Sequence, residues 1–158
     1  MKEILKRIFS DFGEKKIEVI ERETILPEIK DKIHVIIGPR RAGKTYYLYQ
    51  IIQKLLKKGV GLNNILFLNF EDERLDFENV RNYDIIFEAF LELYPDTQLS
   101  QLHIFFDEIQ LLPNWEKFVR RVFDSVSCNV YLTGSNSAML SREIASTLRG
   151  RSFATAIF

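Results

Sequence analysis

Gly38, Gly43, Lys44 and Thr45 fall at the spacing G-x-x-x-x-G-K-[ST], in the stretch Gly38-Pro39-Arg40-Arg41-Ala42-Gly43-Lys44-Thr45. The chemistry this spacing suits is the wrapping of a polyphosphate by backbone N–H groups. A Cβ would obstruct that approach, so glycine is needed where the loop bends. A helix beginning at Lys44 would aim its first N–H groups and the positive end of its dipole at the phosphates. Lys44 has the reach for the β- and γ-phosphates, and the Thr45 hydroxyl can ligate Mg²⁺. The octapeptide alone is moderately specific. Its flanks, an apolar run before and a helix-forming segment after, make it more so.

The second chemical feature is His103-Ile104-Phe105-Phe106-Asp107-Glu108. An acid at the tip of a buried strand can hold Mg²⁺ through water beside the loop threonine, the role expected of Asp107. A carboxylate directly after it is suited to polarise an attacking water, the role expected of Glu108. Thr133, Ser135 and Asn136 follow a further strand at the same sheet edge, and Asn136 or Ser135 is the expected sensor of the γ-phosphate. Arg149 and Arg151 could bring positive charge to a phosphoryl-transfer transition state, from this chain or a neighbouring subunit, or could be solvated surface arginines. Lys44, Glu108, Asn136 and Arg151 are thus the catalytic candidates. Thr45 and Asp107 are the metal candidates, and the whole loop from Gly38 to Thr45 is the nucleotide cradle. His103 reads as a neutral, hydrogen-bonded histidine at a strand start. One cysteine and two distant histidines make no zinc pattern.

These side chains need strands that end at one edge of a sheet. Residues 33–37, 65–70, 102–106, 128–132 and 152–158 are expected strands, and 65–70 is apolar enough to be covered on both faces. Helices are expected between them. After the loop, Leu48, Ile51, Ile52, Leu55 and Leu56 form an apolar stripe that Gly59 should terminate. Val80, Tyr83, Phe87, Phe90, Leu91 and Tyr94 mark a second helix, stopped by Pro95. A third, capped by Asn114, carries Trp115, Phe118, Val119, Val122 and Phe123. Ahead of the core, Ile4, Leu5, Ile8, Phe9 and Phe12 mark a helix over 2–12, ended by Asp11-Phe12-Gly13. A short helix over 24–31 and a polar helical stretch over 138–148 complete the reading. Tyr46, Tyr47 and Tyr49 flank the loop. Any of them could stack on a base, although aromatic packing is the more frequent role. The charged run Glu71-Asp72-Glu73-Arg74 lies at the ligand edge of the sheet, where it could help place a nucleophile or a partner, although a solvated loop is the more frequent role.

The chain has 158 residues, a length that suits one domain over 1–158 with a helical extension over about 1–30. Its 46 % hydrophobic content is enough to fill a core. Lys plus Arg equals Asp plus Glu, 22 each, so net charge does not support DNA binding. A single cysteine excludes an internal disulfide and suits a reducing compartment. No apolar run approaches the ~20 residues of a membrane span, and a cytoplasmic protein is the expectation.

With these residues in place, the chain resembles the AAA-type ATPases of bacteria and archaea that join a P-loop core to a C-terminal domain of unknown function. The resemblance rests on the loop octapeptide, on Phe106-Asp107-Glu108-Ile109-Gln110 with Leu112-Pro113-Asn114-Trp115, on Leu132-Thr133-Gly134-Ser135-Asn136-Ser137, and on Leu148-Arg149-Gly150-Arg151. It implies a three-layer α/β/α P-loop NTPase with a parallel five-stranded sheet in the order 5-1-4-3-2. It also implies Mg²⁺-ATP as ligand, catalysis by Glu108, and a sensor at Ser135 or Asn136. The lid and C-terminal domain usual in that group are expected to be missing after Phe158. The leading functional expectation is therefore an ATP-binding core that hydrolyses ATP to ADP and phosphate with Mg²⁺, as a homo-oligomer or with a protein partner. A second is a nucleotide-gated interaction module that binds ATP with negligible turnover. A third, a small-molecule kinase, lacks an evident arginine-rich lid.

Overall fold

In the computed structural model, residues 1–15, 31–127, 129–135, 142, 148 and 150–157 are described. Their core is a five-stranded, wholly parallel sheet: β1 (Ile33–Ile37), β2 (Ile65–Asn69), β3 (His103–Asp107), β4 (Val130–Gly134) and β5 (Ser152–Ala156). The strands lie in the order β2-β3-β4-β1-β5. This is the expected 5-1-4-3-2 order seen from the other edge.

Alternation along the strands divides the core in two. Ile36, Ile65, Phe67 and Phe105 face α2 (Lys44–Lys57), which covers them with Tyr47, Leu48, Ile51 and Ile52. Val35, Leu66, Leu68, Ile104, Phe106, Val130 and Leu132 face the opposite way. There α3 (Ile85–Leu93) and α4 (Trp115–Ser125) cover them, with Trp115, Phe118 and Val122 buried beneath α4. α1 (Lys2–Glu14) adds Leu5, Ile8 and Phe9 to this second cluster. Lys2 and Lys6 tie it to α3 through Glu88 and Glu92 at 3.2 Å.

Several expectations need correction. Leu56 is exposed, and Tyr47 takes its place in the buried stripe of α2. α3 begins at Ile85 rather than near Val80, because Asn82 accepts from the backbone N–H of Asp84 and Asp76 from that of Glu78. Such side-chain bonds offer the backbone an alternative to the helix. α1 runs through Gly13, whose missing Cβ lets the Tyr94 hydroxyl approach. β4 lies two residues later than 128–132, and β5 ends at Ala156. Asn114 occupies the N-cap position of α4 but makes no side-chain capping bond; it supplies a left-handed turn instead (φ 56°). The end of α2 behaves as expected. Gly59 (φ 95°) donates to Leu56 O and Val60 to Leu55 O, the paired bonds of a Schellman motif. The expected helices over 24–31 and 138–148 fall largely outside the described residues.

His34 packs among aromatic rings, 5.4 Å from Tyr131 and 5.7 Å from Phe153. His103 starts β3 as expected, but its Nδ1 is buried without a hydrogen-bond partner among the described residues. Burial pushes both imidazoles below their ordinary pKa. The unfolded chain therefore takes up protons below about pH 6.5 that the folded chain resists, and stability falls as pH drops through that point. His34→Phe should flatten this dependence. Its urea midpoint should fall less than that of the wild type between about pH 7.5 and 5.5. Equal falls would show that His34 is not among the responsible groups.

Candidate nucleotide site

Parallel strands bring their C-terminal ends to one edge, and the candidate residues gather there. The segment from Gly38 to Gly43 links the end of β1 to the start of α2. Arg41 (φ 62°) and Gly43 (φ 91°) take the left-handed backbone that folds it back on itself. Gly43 is the N-cap of α2, and no side chain caps that end. Lys44, only 4 % exposed, donates from Nζ to Gly38 O and Pro39 O at 2.8 Å each. The same ammonium stands 4.0 Å from Glu108 Oε1. Its three donors, held under the loop, could equally serve phosphate oxygens.

Strand parity explains the next contacts. Asp107 at the end of β3 and Thr133 one residue before the end of β4 lie on the face that α2 covers, near its first turn. Thr45 Oγ1 donates to Asp107 Oδ2 at 2.7 Å, and Thr133 Oγ1 donates to Asp107 Oδ1. Thr133 in turn accepts from the Glu108 backbone N–H at 2.9 Å. Asp107 has no solvent exposure. Burial pushes its carboxyl up, the bonds from Thr133 and Thr45 oppose that, and the charges of Glu108 and Glu71 add to it.

Glu108 departs from the strand through a left-handed backbone (φ 55°), which turns its side chain toward the loop lysine. Its carboxylate is well held. Ser135 Oγ lies 2.8 and 2.7 Å from the two oxygens, and Gln110 Nε2 donates at 2.6 Å. Ser135 is thus brought to the site. The other sensor candidate, Asn136, and Arg149 lie outside the described residues. Arg151 is not brought to the site. Its carbonyl accepts from the Ile33 N–H at the start of β1, and its side chain pairs with Asp124 at 3.1 Å. A five-residue strand, at roughly 3.3 Å per residue, separates it from the loop. As a residue acting within its own chain, the Arg151 expectation is corrected by this geometry.

The loop opens into a cavity of about 540 Å³, lined by Arg40, Arg41, Lys44, Thr45 and Glu108, and also by Tyr46 and Glu71. Arg40 pairs with Glu71 at 3.1 Å across this space. Glu71, read from the sequence as part of a solvated loop, is therefore at the site, as is Gln110. Gln110 stood in the sequence only as part of the stretch that carries the resemblance, with no role of its own, because its contact depends on the turn that Glu108 makes.

The donor set suits a polyphosphate with a hard divalent ion. Thr45 and Asp107 offer a hydroxyl and a carboxylate 2.7 Å apart, and a cation would offset the buried charge of Asp107. Among the described residues no three His, Cys, Asp or Glu side chains cluster closely enough to hold a metal alone. An ion here would complete its shell with phosphate oxygens and water, as Mg²⁺ commonly does.

Sheet order, loop and acid pair together define a P-loop nucleotide-binding core of the α/β class. A family-wide profile described as an AAA domain matches residues 30–158, and the chain belongs to that family. It is 43 % identical, over 90 % of its length, to an uncharacterized protein of Methanocaldococcus jannaschii. It is 34 % identical, over 84 % of its length, to an uncharacterized protein of Haemophilus influenzae. The aligned stretches cover 30 % and 34 % of those two proteins, so the chain spans about a third of the curated relatives it matches. Among the described residues no helix is long and apolar enough to cross a membrane.

Proposed function

We propose that this core binds ATP with Mg²⁺ and hydrolyses it to ADP and phosphate. The observation that carries the reading is the convergence of Lys44, Thr45 and Glu108 on one cavity, with Asp107 buried behind it and hydrogen-bonded to Thr45. Lys44 and the loop N–H groups hold the β- and γ-phosphates. Thr45 and Asp107 hold Mg²⁺, which supplies charge neutralisation at the phosphate oxygens. Glu108 takes the proton from the water that attacks the γ-phosphorus as the bond to the β-phosphate oxygen breaks. Ser135, already bonded to Glu108, is the sensor in this reading, since a γ-phosphate beside Lys44 would compete for the same groups.

Positive charge for the transition state would come from Arg40 or Arg41 in the loop, or from a neighbouring subunit. Arg151 fits only the second route. The test is phosphate release with Mg²⁺ and with EDTA, across a range of protein concentrations. Mg²⁺-dependent turnover is expected. A specific rate that climbs with concentration, and that Arg151→Ala flattens, would place the missing charge on a neighbour. ATP bound but never consumed would instead leave a nucleotide-gated interaction module.

A further inference from the structure

Three tyrosines flank the loop, and the structure gives them different surroundings. Tyr47 is buried under the sheet, where Thr155 hydrogen-bonds to its hydroxyl. Tyr49 is half-buried, with its ring 5.3 Å from that of Phe67 and its hydroxyl accepting from Lys15 Nζ at 3.2 Å. Both are explained by packing. Tyr46 is not. It is 62 % exposed, the most exposed of the chain's large hydrophobic side chains among the described residues. It nevertheless lines the cavity beside Lys44 and Thr45. Among the described residues its one ring contact is edge-on to Tyr49, with centroids 6.2 Å apart and planes at 89°. An edge-on contact covers at most one face of either ring, and at 62 % exposure Tyr46 leaves ring surface to solvent among the described residues.

An exposed aromatic ring next to a polyphosphate cradle has an evident ligand chemistry. Every nucleobase has a π-face that stacks on such a ring, whichever base it is. We propose that Tyr46 is the nucleoside platform of this site, stacking on the base of a nucleoside triphosphate whose phosphates lie in the Gly38–Thr45 loop. The proposal rests on the nucleotide-binding reading above and deepens it. It assigns affinity for the nucleoside to one side chain, and it predicts tolerance among purines, because stacking does not read base edges.

Calorimetric titration of the chain with Mg²⁺-ATP, Mg²⁺-GTP and Mg²⁺-tripolyphosphate tests it, because tripolyphosphate keeps the phosphates and lacks the base. Tyr46→Ala should weaken both nucleotides about tenfold, in line with base–aromatic stacking, and leave tripolyphosphate unchanged. Tyr46→Phe should restore nucleotide affinity. Tyr46→Ala with unchanged nucleotide affinity would overturn the proposal. So would equal weakening of nucleotide and tripolyphosphate, which would place Tyr46 on the phosphates alone. If the wild type binds neither nucleotide nor tripolyphosphate, the nucleotide-binding reading itself fails. Binding of both without dependence on Tyr46 removes only the platform.

Discussion

Glu108→Gln is expected to bind Mg²⁺-ATP within about threefold of the wild-type affinity while its kcat falls by about a hundredfold or more. The substitution keeps the shape of the side chain. Ser135 can still donate to the remaining carboxamide oxygen, and one of the bonds around residue 108 survives. The ability to accept a proton from water is lost. An interaction needed only in the transition state lowers kcat and kcat/KM together and leaves ground-state binding in place. Single-turnover phosphate release, with ATP binding measured in parallel, checks both halves. Ser135→Ala should be milder, because Gln110 still holds one carboxylate oxygen at 2.6 Å. If Glu108→Gln hydrolyses ATP as fast as the wild type, Glu108 is not the base. Asp107 is a poor replacement, since it has no solvent exposure and does not line the cavity.

The residues of this argument were unevenly legible in the sequence. Asp107, Glu108, Lys44 and Thr45 sit at strand and helix ends, where a motif fixes both residue type and direction. β1 over 33–37 could be placed to the residue because Gly38 stops it and the apolar run is short. Strand order followed from the resemblance, not from hydrophobicity, which does not rank β2, β3 and β4, whose residues are nearly all buried. Local hydrogen bonding defeated the periodicity at α3. The apolar spacing of Val80 and Tyr83 is real, and both pack against the core, but from turns that asparagine and aspartate side chains hold. Gln110 and Glu71 became visible only once Glu108 turned through its left-handed backbone and the loops met across the cavity. Arg151 is kept from the site of its own chain for a topological reason. A basic residue just before a strand lies at the far edge of a parallel sheet from the residues just after one.

Gly38→Ala is expected to cost more than its conformational preference would suggest, and Gly59→Ala separates the two effects. Gly59 is left-handed (φ 95°) with open space around it. An alanine there should lose roughly 1–2 kcal/mol to backbone strain and leave nucleotide affinity unchanged. Gly38 is not left-handed, so strain does not explain it. A Cβ there would lie 2.5 Å from the Ile157 carbonyl oxygen and 3.5 Å from the Ala42 Cβ. The Ile157 carbonyl is poorly able to retreat, because its own N–H donates to Ile37 O at 2.8 Å, just where β1 becomes the loop. Either the end of β5 peels away or the loop shifts outward. Overpacking of this kind costs about 1–3 kcal/mol. A shifted loop would also move the Gly38 and Pro39 carbonyls that hold Lys44. Gly38→Ala should therefore lower the denaturation midpoint and weaken Mg²⁺-ATP binding at least about tenfold, since losing even one charge-assisted hydrogen bond costs roughly 1.5–3 kcal/mol. Denaturant titration and calorimetry on both variants decide the matter. Stability lost at Gly38 with nucleotide affinity intact would mean that β5 yields and the loop stands. In that case Gly38 serves the seam between β1 and β5 alone, and the loop's grip on phosphate depends on Gly43 and the helix it caps.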